Sequence, residues 1–302
     1  KILVFPELCL TGYTCSDLFT HDILLDAAKD ALLEIARFTA DKDILVFVGV
    51  PLEVEGKLYN VAAALNRGKV IGLTTKTFLP NYGELYEMRQ VTRGLFQSTA
   101  MEKLIVSAEI CEDVWSPIPP SITAALEGAT VIVNCSASDE TIGKDSYRRE
   151  LISGQSARLI AGYVYANAGE GESTTDLVFG GHNIIAENGT ILKEAERYHN
   201  EIIYSELDIQ RISAERRKNT TFLTEKYRTL IRVPFYVEMG KTKLTRTFPK
   251  RPFVPADEDA RAQRCEEILT IQAMGLKKRL AHTNARTAVV GISGGLDSTL
   301  AL

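Results

Sequence analysis

Residues 104–115 read LIVSAEICEDVW. The run from Leu104 to Ile110 is dominated by apolar and β-branched residues, which predicts a buried strand. It ends on Cys111, and Glu112 and Asp113 open a turn toward a helix. A thiol at the end of a buried strand is presented to a ligand. The N–H groups of the following turn then point at a reacting carbonyl and form an oxyanion hole. A buried structural cysteine is the competing reading, and the acids flanking Cys111 on both sides weigh against simple burial. No histidine lies in the neighbouring motifs, so a Cys–His dyad requires a tertiary contact.

The same layout recurs upstream. Ile2–Phe5 is a short apolar run stopped by Pro6 and followed by Glu7, a carboxylate at the end of a strand, where ligands of such sheets gather. Lys69–Thr75 is a strand closed by Lys76, a cation able to stabilise developing negative charge. Taken singly, a rim carboxylate and a solvated lysine are the ordinary readings of these two residues. A helix is expected over Leu24–Phe38 and strands over Ile44–Val50, Leu58–Leu65, Val131–Asn134 and Gly162–Ala168. A further helix is expected over Lys144–Ile160. Asn66-Arg67-Gly68 and Asn188-Gly189 read as hairpin turns. Strands alternating with helices and hairpins give an α/β (α+β layered) class with mixed sheets.

Beyond about Asp208 the periodicity fades and Arg211, Arg216, Arg217 and Lys218 cluster. The expected organisation is a domain over residues 1–207, a connecting arm over 208–255 and a second unit over 256–302. That second unit opens with a helix over Ala256–Leu280 and a strand over Thr287–Ile292. The strand runs into SGGLDS at 293–298, where Ser293, Gly294, Gly295 and Ser298 offer N–H groups and hydroxyls to an anion. An ordinary Gly-rich turn is the other reading. The chain opens directly on a buried strand, so it is expected to be a fragment at that end, and the second unit is expected to be truncated.

Composition narrows the partners. The 302 residues carry a net charge of −4, which gives no electrostatic reason to expect a nucleic acid or an anionic membrane. No apolar run approaches the ~20 residues that span a bilayer. The five cysteines and four histidines lack C-x-x-C and H-x-x-x-H spacing, so neither a disulfide framework nor a metal centre is expected, and a reducing, cytoplasmic setting is.

A Glu, a Lys and a Cys in this chain order, each ending a strand, resemble the nitrilase superfamily of C–N hydrolases. FPELCLTGY (5–13), KTFLPNYGELYEMRQ (76–90), EICEDVWSPIPPS (109–121) and YVYANAGEGESTTDLVFGGHNII (163–185) are similar to the glutaminase domains of the glutamine-dependent NAD synthetase family. SGGLDS resembles the pyrophosphate-binding loop opening the synthetase domain of that family. The resemblance implies a four-layer α–β–β–α sandwich followed by the first βα unit of an adenine-nucleotide hydrolase-like domain. It implies Glu7 as general base, Cys111 as nucleophile on the carboxamide of glutamine, and Lys76 with the Glu112 N–H as oxyanion donors. Glu84 would support Lys76, and Tyr82, Glu112, Ser138 and Lys144 would line the glutamine pocket. Ser293, Gly294, Gly295, Asp297 and Ser298 would form the ATP loop, serving with magnesium to adenylylate deamido-NAD; the glutaminase site itself needs no cofactor. A homo-oligomer is implied as well. Two rivals are a free-standing amidase, which has no use for SGGLDS, and an assembly module with a silent site, which has no use for an intact Glu7, Lys76 and Cys111.

Overall fold

The computed structural model describes residues 1–79, 94–172, 176–222, 229–248 and 250–302. They divide into two compact units, Lys1–Arg246 and Thr247–Leu302.

The first unit opens with β1 (Ile2–Val4), α1 (Asp22–Phe38), β2 (Leu45–Val54), β3 (Lys57–Asn66) and β4 (Lys69–Thr75). The strands form one sheet in the order β1-β2-β3-β4, with β1 parallel to β2 and the rest antiparallel. Both hairpin loops are of two residues with left-handed backbone: Glu55 and Gly56 at φ 51° and 70°, Arg67 and Gly68 at 49° and 83°. Such loops match the twist of the strands they join. The second sheet follows from β5 (Gly94–Ser98), β6 (Ile105–Ile110), α2 (Pro120–Leu126), β7 (Val131–Ser136), α3 (Lys144–Leu159), β8 (Gly162–Asn167), β9 (Ile184–Glu187), β10 (Thr190–Glu194), α4 (Ile209–Lys218) and β11 (Ile231–Phe235). Its order is β10-β9-β8-β7-β6-β5-β11, with β6, β7 and β8 parallel. The expected turn at Asn188-Gly189 joins β9 to β10, both residues at positive φ.

Alternation along the strands assigns the layers. Leu45, Phe47, Ala62 and Ala64 of the first sheet meet Phe96, Val106, Ala108, Ile110, Val131 and Val133 of the second, and Phe47 packs edge-on against Phe96 at 5.4 Å. The intervening residues Val46, Val48, Val61, Ala63 and Leu65 face Ala28, Leu32 and Ala36 of α1. On the far side Ile132, Tyr163 and Ile184 face Ala124, Ala125, Ile152 and Leu159 of α2 and α3. A period of two on strands buried on both faces gives four layers, α–β–β–α, as expected.

Two expectations change. The stretch read as a connecting arm contributes α4, whose Ile209 and Ile212 enter the inter-sheet core, and β11, which pairs in parallel with β5. Its apolar residues are few and widely spaced, so the pattern is faint although the burial is real. Thr287–Ile292 is not a strand: among the described residues nothing pairs with it, and a strand exists through its ladder. The second unit holds α5 (Glu258–Thr283) and α6 (Leu296–Ala301). No helix among the described residues is long and apolar enough to cross a membrane.

Candidate active site

Glu7 sits in the loop just past β1. Its backbone N–H donates to Ser136 O at 3.3 Å, tying one sheet to the other. The loop lies directly on β2 at Gly49, where a Cβ would stand 2.4 Å from both Pro6 O and Leu8 N. Only glycine allows that approach. Leu8 takes left-handed backbone, φ 48°, and turns the chain away after the carboxylate.

The Glu7 side chain accepts three hydrogen bonds. Oε1 accepts from Lys76 Nζ at 2.5 Å and Asn60 Nδ2 at 2.6 Å, and Oε2 accepts from the Ala137 N–H at 3.1 Å. Lys76 follows β4, and its N–H donates to Asn60 O at 2.9 Å. Both charged side chains are completely buried. Burial by itself favours a neutral lysine, yet the carboxylates of Glu7 and Asp113 outweigh it and hold the Lys76 ammonium above its ordinary range.

Cys111 begins a single 3-10 turn, Cys111–Val114, directly off the end of β6. Its φ of 42° is left-handed, a conformation costly for a side-chain-bearing residue. Two side chains hold it there. Asn134 Oδ1 accepts the Cys111 N–H at 2.9 Å. Asp113 Oδ2 accepts the Ile110 N–H at 2.9 Å, while its Oδ1 takes Thr77 N–H and Phe78 N–H at 2.9 and 2.8 Å. Asp113 therefore ties the chain after Lys76 to the turn that carries the thiol. Burial pushes the Asp113 carboxyl up to about 6 against those donors. The Cys111 thiol is raised to about 11 by burial and then by Glu7, with Lys76, Ser136 and the Ala137 N–H pulling the other way. At neutral pH the sulfur carries its proton, within the electrostatic reach of both Glu7 and Lys76.

The structure thus brings Glu7, Lys76 and Cys111 to one buried spot from three strand ends. Glu112 lies in the same turn as Cys111, half-buried. Ser138 follows β7: its N–H donates to Asn167 Oδ1 at 2.8 Å, and its Oγ accepts from Arg148 Nη2 at 3.3 Å. Lys144 opens α3 and pairs with Asp139 at 2.5 Å, its ammonium 5.7 Å from the ring centre of Trp115, which stacks on Tyr147. Tyr82 and Glu84 lie outside the described residues. Ser293, Gly294, Gly295, Asp297 and Ser298 lie together in the second unit, with Gly294 at φ 80° and Asp297 in the first turn of α6. The Ser293 N–H donates to Ser298 Oγ at 3.2 Å and the Gly295 N–H to Ser293 Oγ at 3.4 Å. Among the described residues no group of three or more His, Cys, Asp or Glu side chains is placed to hold a metal ion.

Several residues of the site escaped the sequence reading. Asn60 and Asn134 are polar residues inside apolar strand runs, LYNVAAAL and VIVNCS, and that interruption was the available signal. Arg148 is fully buried and binds Glu140 at 2.7 Å and His182 Nδ1 at 3.0 Å, supporting the Ser138 loop from below. Nothing in the helical pattern of α3 distinguishes it from a surface arginine.

A four-layer sandwich with Glu, Lys and Cys at converging strand ends is the architecture of enzymes that cleave C–N bonds, and the chain belongs to the carbon-nitrogen hydrolase family, whose model matches residues 1–217. Several curated relatives are glutamine-dependent NAD(+) synthetases. The glutamine-dependent NAD(+) synthetase of Mycobacterium tuberculosis is 41% identical over 334 residues, covering 100% of this chain and 49% of that protein. That of Aquifex aeolicus is 30% identical, covering 99% of this chain and 51% of that protein. The chain spans about half the length of these curated relatives. Among solved structures, glutamine-dependent NAD+ synthetase from Acinetobacter baumannii, in complex with ADP, superposes with a TM-score of 0.60 at 27% identity, covering 66% of this chain and 38% of that one. A carbon-nitrogen hydrolase from Helicobacter pylori G27 superposes at 0.61 with 17% identity, over 72% of this chain and 80% of that one, a likeness of fold.

Proposed function

We propose that the first unit hydrolyses the side-chain amide of glutamine and that the ammonia serves an ATP-dependent amidation of deamido-NAD to NAD. The observation that carries this reading is the buried Glu7–Lys76 pair set against the Cys111 thiol at a strained strand end. Glu7 takes the thiol proton as the sulfur attacks the carboxamide carbon. Lys76 Nζ and the Glu112 N–H stabilise the oxyanion that forms. The C–N bond breaks, the proton held by Glu7 passes to the departing nitrogen, and ammonia leaves a thioester on Cys111. Water, deprotonated by Glu7, then attacks the thioester, the C–S bond breaks to release glutamate, and the proton on Glu7 returns to the Cys111 sulfur.

On this reading Tyr82, Glu112, Ser138 and Lys144 hold the amino and carboxylate ends of glutamine, a carboxylate meeting the ammonium and a cation the carboxylate, with Glu84 supporting Lys76. Ser293, Gly294, Gly295, Asp297 and Ser298 would hold ATP phosphates with magnesium; bound there, ATP supplies the activation of the deamido-NAD carboxylate. The reading extends to a cytoplasmic homo-oligomer that engages neither nucleic acid nor membrane.

Ammonia release from glutamine by this chain, beside Cys111→Ala, is the test. Release that vanishes in the substituted protein supports the assignment. Release that persists removes Cys111 from the chemistry. Silence of a folded protein extended to the full length of its relatives would sink the reading.

A further inference from the structure

Beneath the nucleophile lies a set of buried polar groups that the reaction above does not use. Glu109 on β6, Asn134 on β7 and Tyr163 on β8 all project from the helix-facing side of the second sheet, and all are buried. The Tyr163 hydroxyl donates to Glu109 Oε1 and accepts from Asn134 Nδ2 at 3.1 Å. Asn134 Oδ1 in turn accepts the N–H of Cys111 at 2.9 Å. The other Glu109 oxygen accepts the Ser121 N–H at 2.9 Å, so the carboxylate is anchored independently by the start of α2.

We propose that Glu109 and Tyr163 are positioning residues for the nucleophile, acting through Asn134 to keep the Cys111 backbone in its left-handed turn. A carboxamide has one accepting end and one donating end, and nearly equal shapes either way. The Cys111 N–H is a donor, so it must face the oxygen; an amide turned over would set N–H against N–H. Tyr163 selects the correct orientation because its own hydrogen is committed to Glu109, leaving its oxygen free to accept from Nδ2. The three strands thereby fix the direction of a hydrogen bond at a residue whose φ of 42° is otherwise unfavourable.

This inference rests on the glutaminase reading for its kinetic test and on Cys111 reactivity for its independent one. Tyr163→Phe keeps the ring in the core and removes only the hydroxyl. It is expected to lower kcat for ammonia release about tenfold with KM for glutamine changed less than twofold, since the substituted groups touch no substrate. Asn134→Leu is expected to cost at least as much, and Tyr163→Phe added to it is expected to cost nothing further, because the relay is already cut. A residue that merely stabilises the fold would instead add its full effect, and thermal melts confirm that each variant is folded. The second readout is alkylation of Cys111 by iodoacetamide, followed on the Cys111 peptide by mass spectrometry. Opening the turn exposes the buried sulfur, so Tyr163→Phe is expected to raise the rate at least threefold. If the parent releases no ammonia, the kinetic comparison falls away and the alkylation alone decides the relay. Tyr163→Phe with unchanged alkylation, unchanged kcat, or a loss that adds in full to Asn134→Leu overturns the inference.

Discussion

Gly49→Ala should damage catalysis far more than it damages the fold. The added Cβ would stand 2.4 Å from Pro6 O and Leu8 N, both backbone atoms. Ordinary contact begins near 3.4 Å, so the loop carrying Glu7 must retreat by about 1 Å. Gly49 itself is held in register opposite Ala62 on an inner strand, which leaves the loop as the part that gives. Overpacking of this kind costs about 1–3 kcal/mol of stability. A displacement of about 1 Å at a catalytic group costs about 100-fold in rate. Gly72→Ala supplies the control: its Cβ would press on the Phe96 ring at 2.7 Å, away from Glu7. Both variants should lose comparable stability in urea titrations, while only Gly49→Ala should lose kcat in an ammonia-release assay. Equal kcat values for the two would refute the claim that Gly49 sets the position of Glu7.

Three further outcomes follow from the same geometry. Lys76→Met strands the buried Glu7 carboxylate without its ammonium, so the protein should lose about 3–5 kcal/mol by chemical denaturation along with its activity; a loss below 1 kcal/mol would mean that Glu7 had never depended on Lys76. With the Cys111 thiol raised to about 11, its thiolate grows as pH rises toward that value, and iodoacetamide labelling of Cys111 should increase about tenfold per pH unit from 7 to 10; a plateau below pH 8 would show a thiolate already formed. Arg216 donates to Ala129 O at 2.7 Å, Leu159 O at 2.9 Å and Ile160 O at 3.0 Å, closing the carboxyl end of α3. Arg216→Met should therefore lower stability by about 2 kcal/mol with kcat unchanged, and a fall in kcat would connect α4 to the site.

Much of this was legible in the order of residues. Runs of strand length dominated by apolar residues at Ile44–Val50, Leu104–Ile110 and Val131–Asn134 announce buried sheets. Turn residues with left-handed preference placed the hairpins at Asn66-Arg67-Gly68 and Asn188-Gly189, while the one at Glu55-Gly56 was not read. Glu7, Lys76 and Cys111 were each visible as a reactive type directly after such a run, where strand geometry delivers them to one rim. Residues 208–255 were harder, since α4 and β11 bury few residues and borrow their stability from β5 and the inter-sheet core. Thr287–Ile292 shows the converse: an apolar, β-prone run does not become a strand without a neighbour.

What chain order determined by itself was local: where strands and turns fall, and which reactive groups stand at their ends. Only the tertiary structure decided that Glu7 would be buried together with Lys76, that Asp113 would join two loops, and that Glu109, Tyr163 and Asn134 would converge beneath Cys111. Those partners are separated by tens of residues, and the directions of their hydrogen bonds depend on strand pairing and register. A buried polar atom must find its partner wherever the fold brings one, so its meaning is written in the packing and not in its neighbours along the chain.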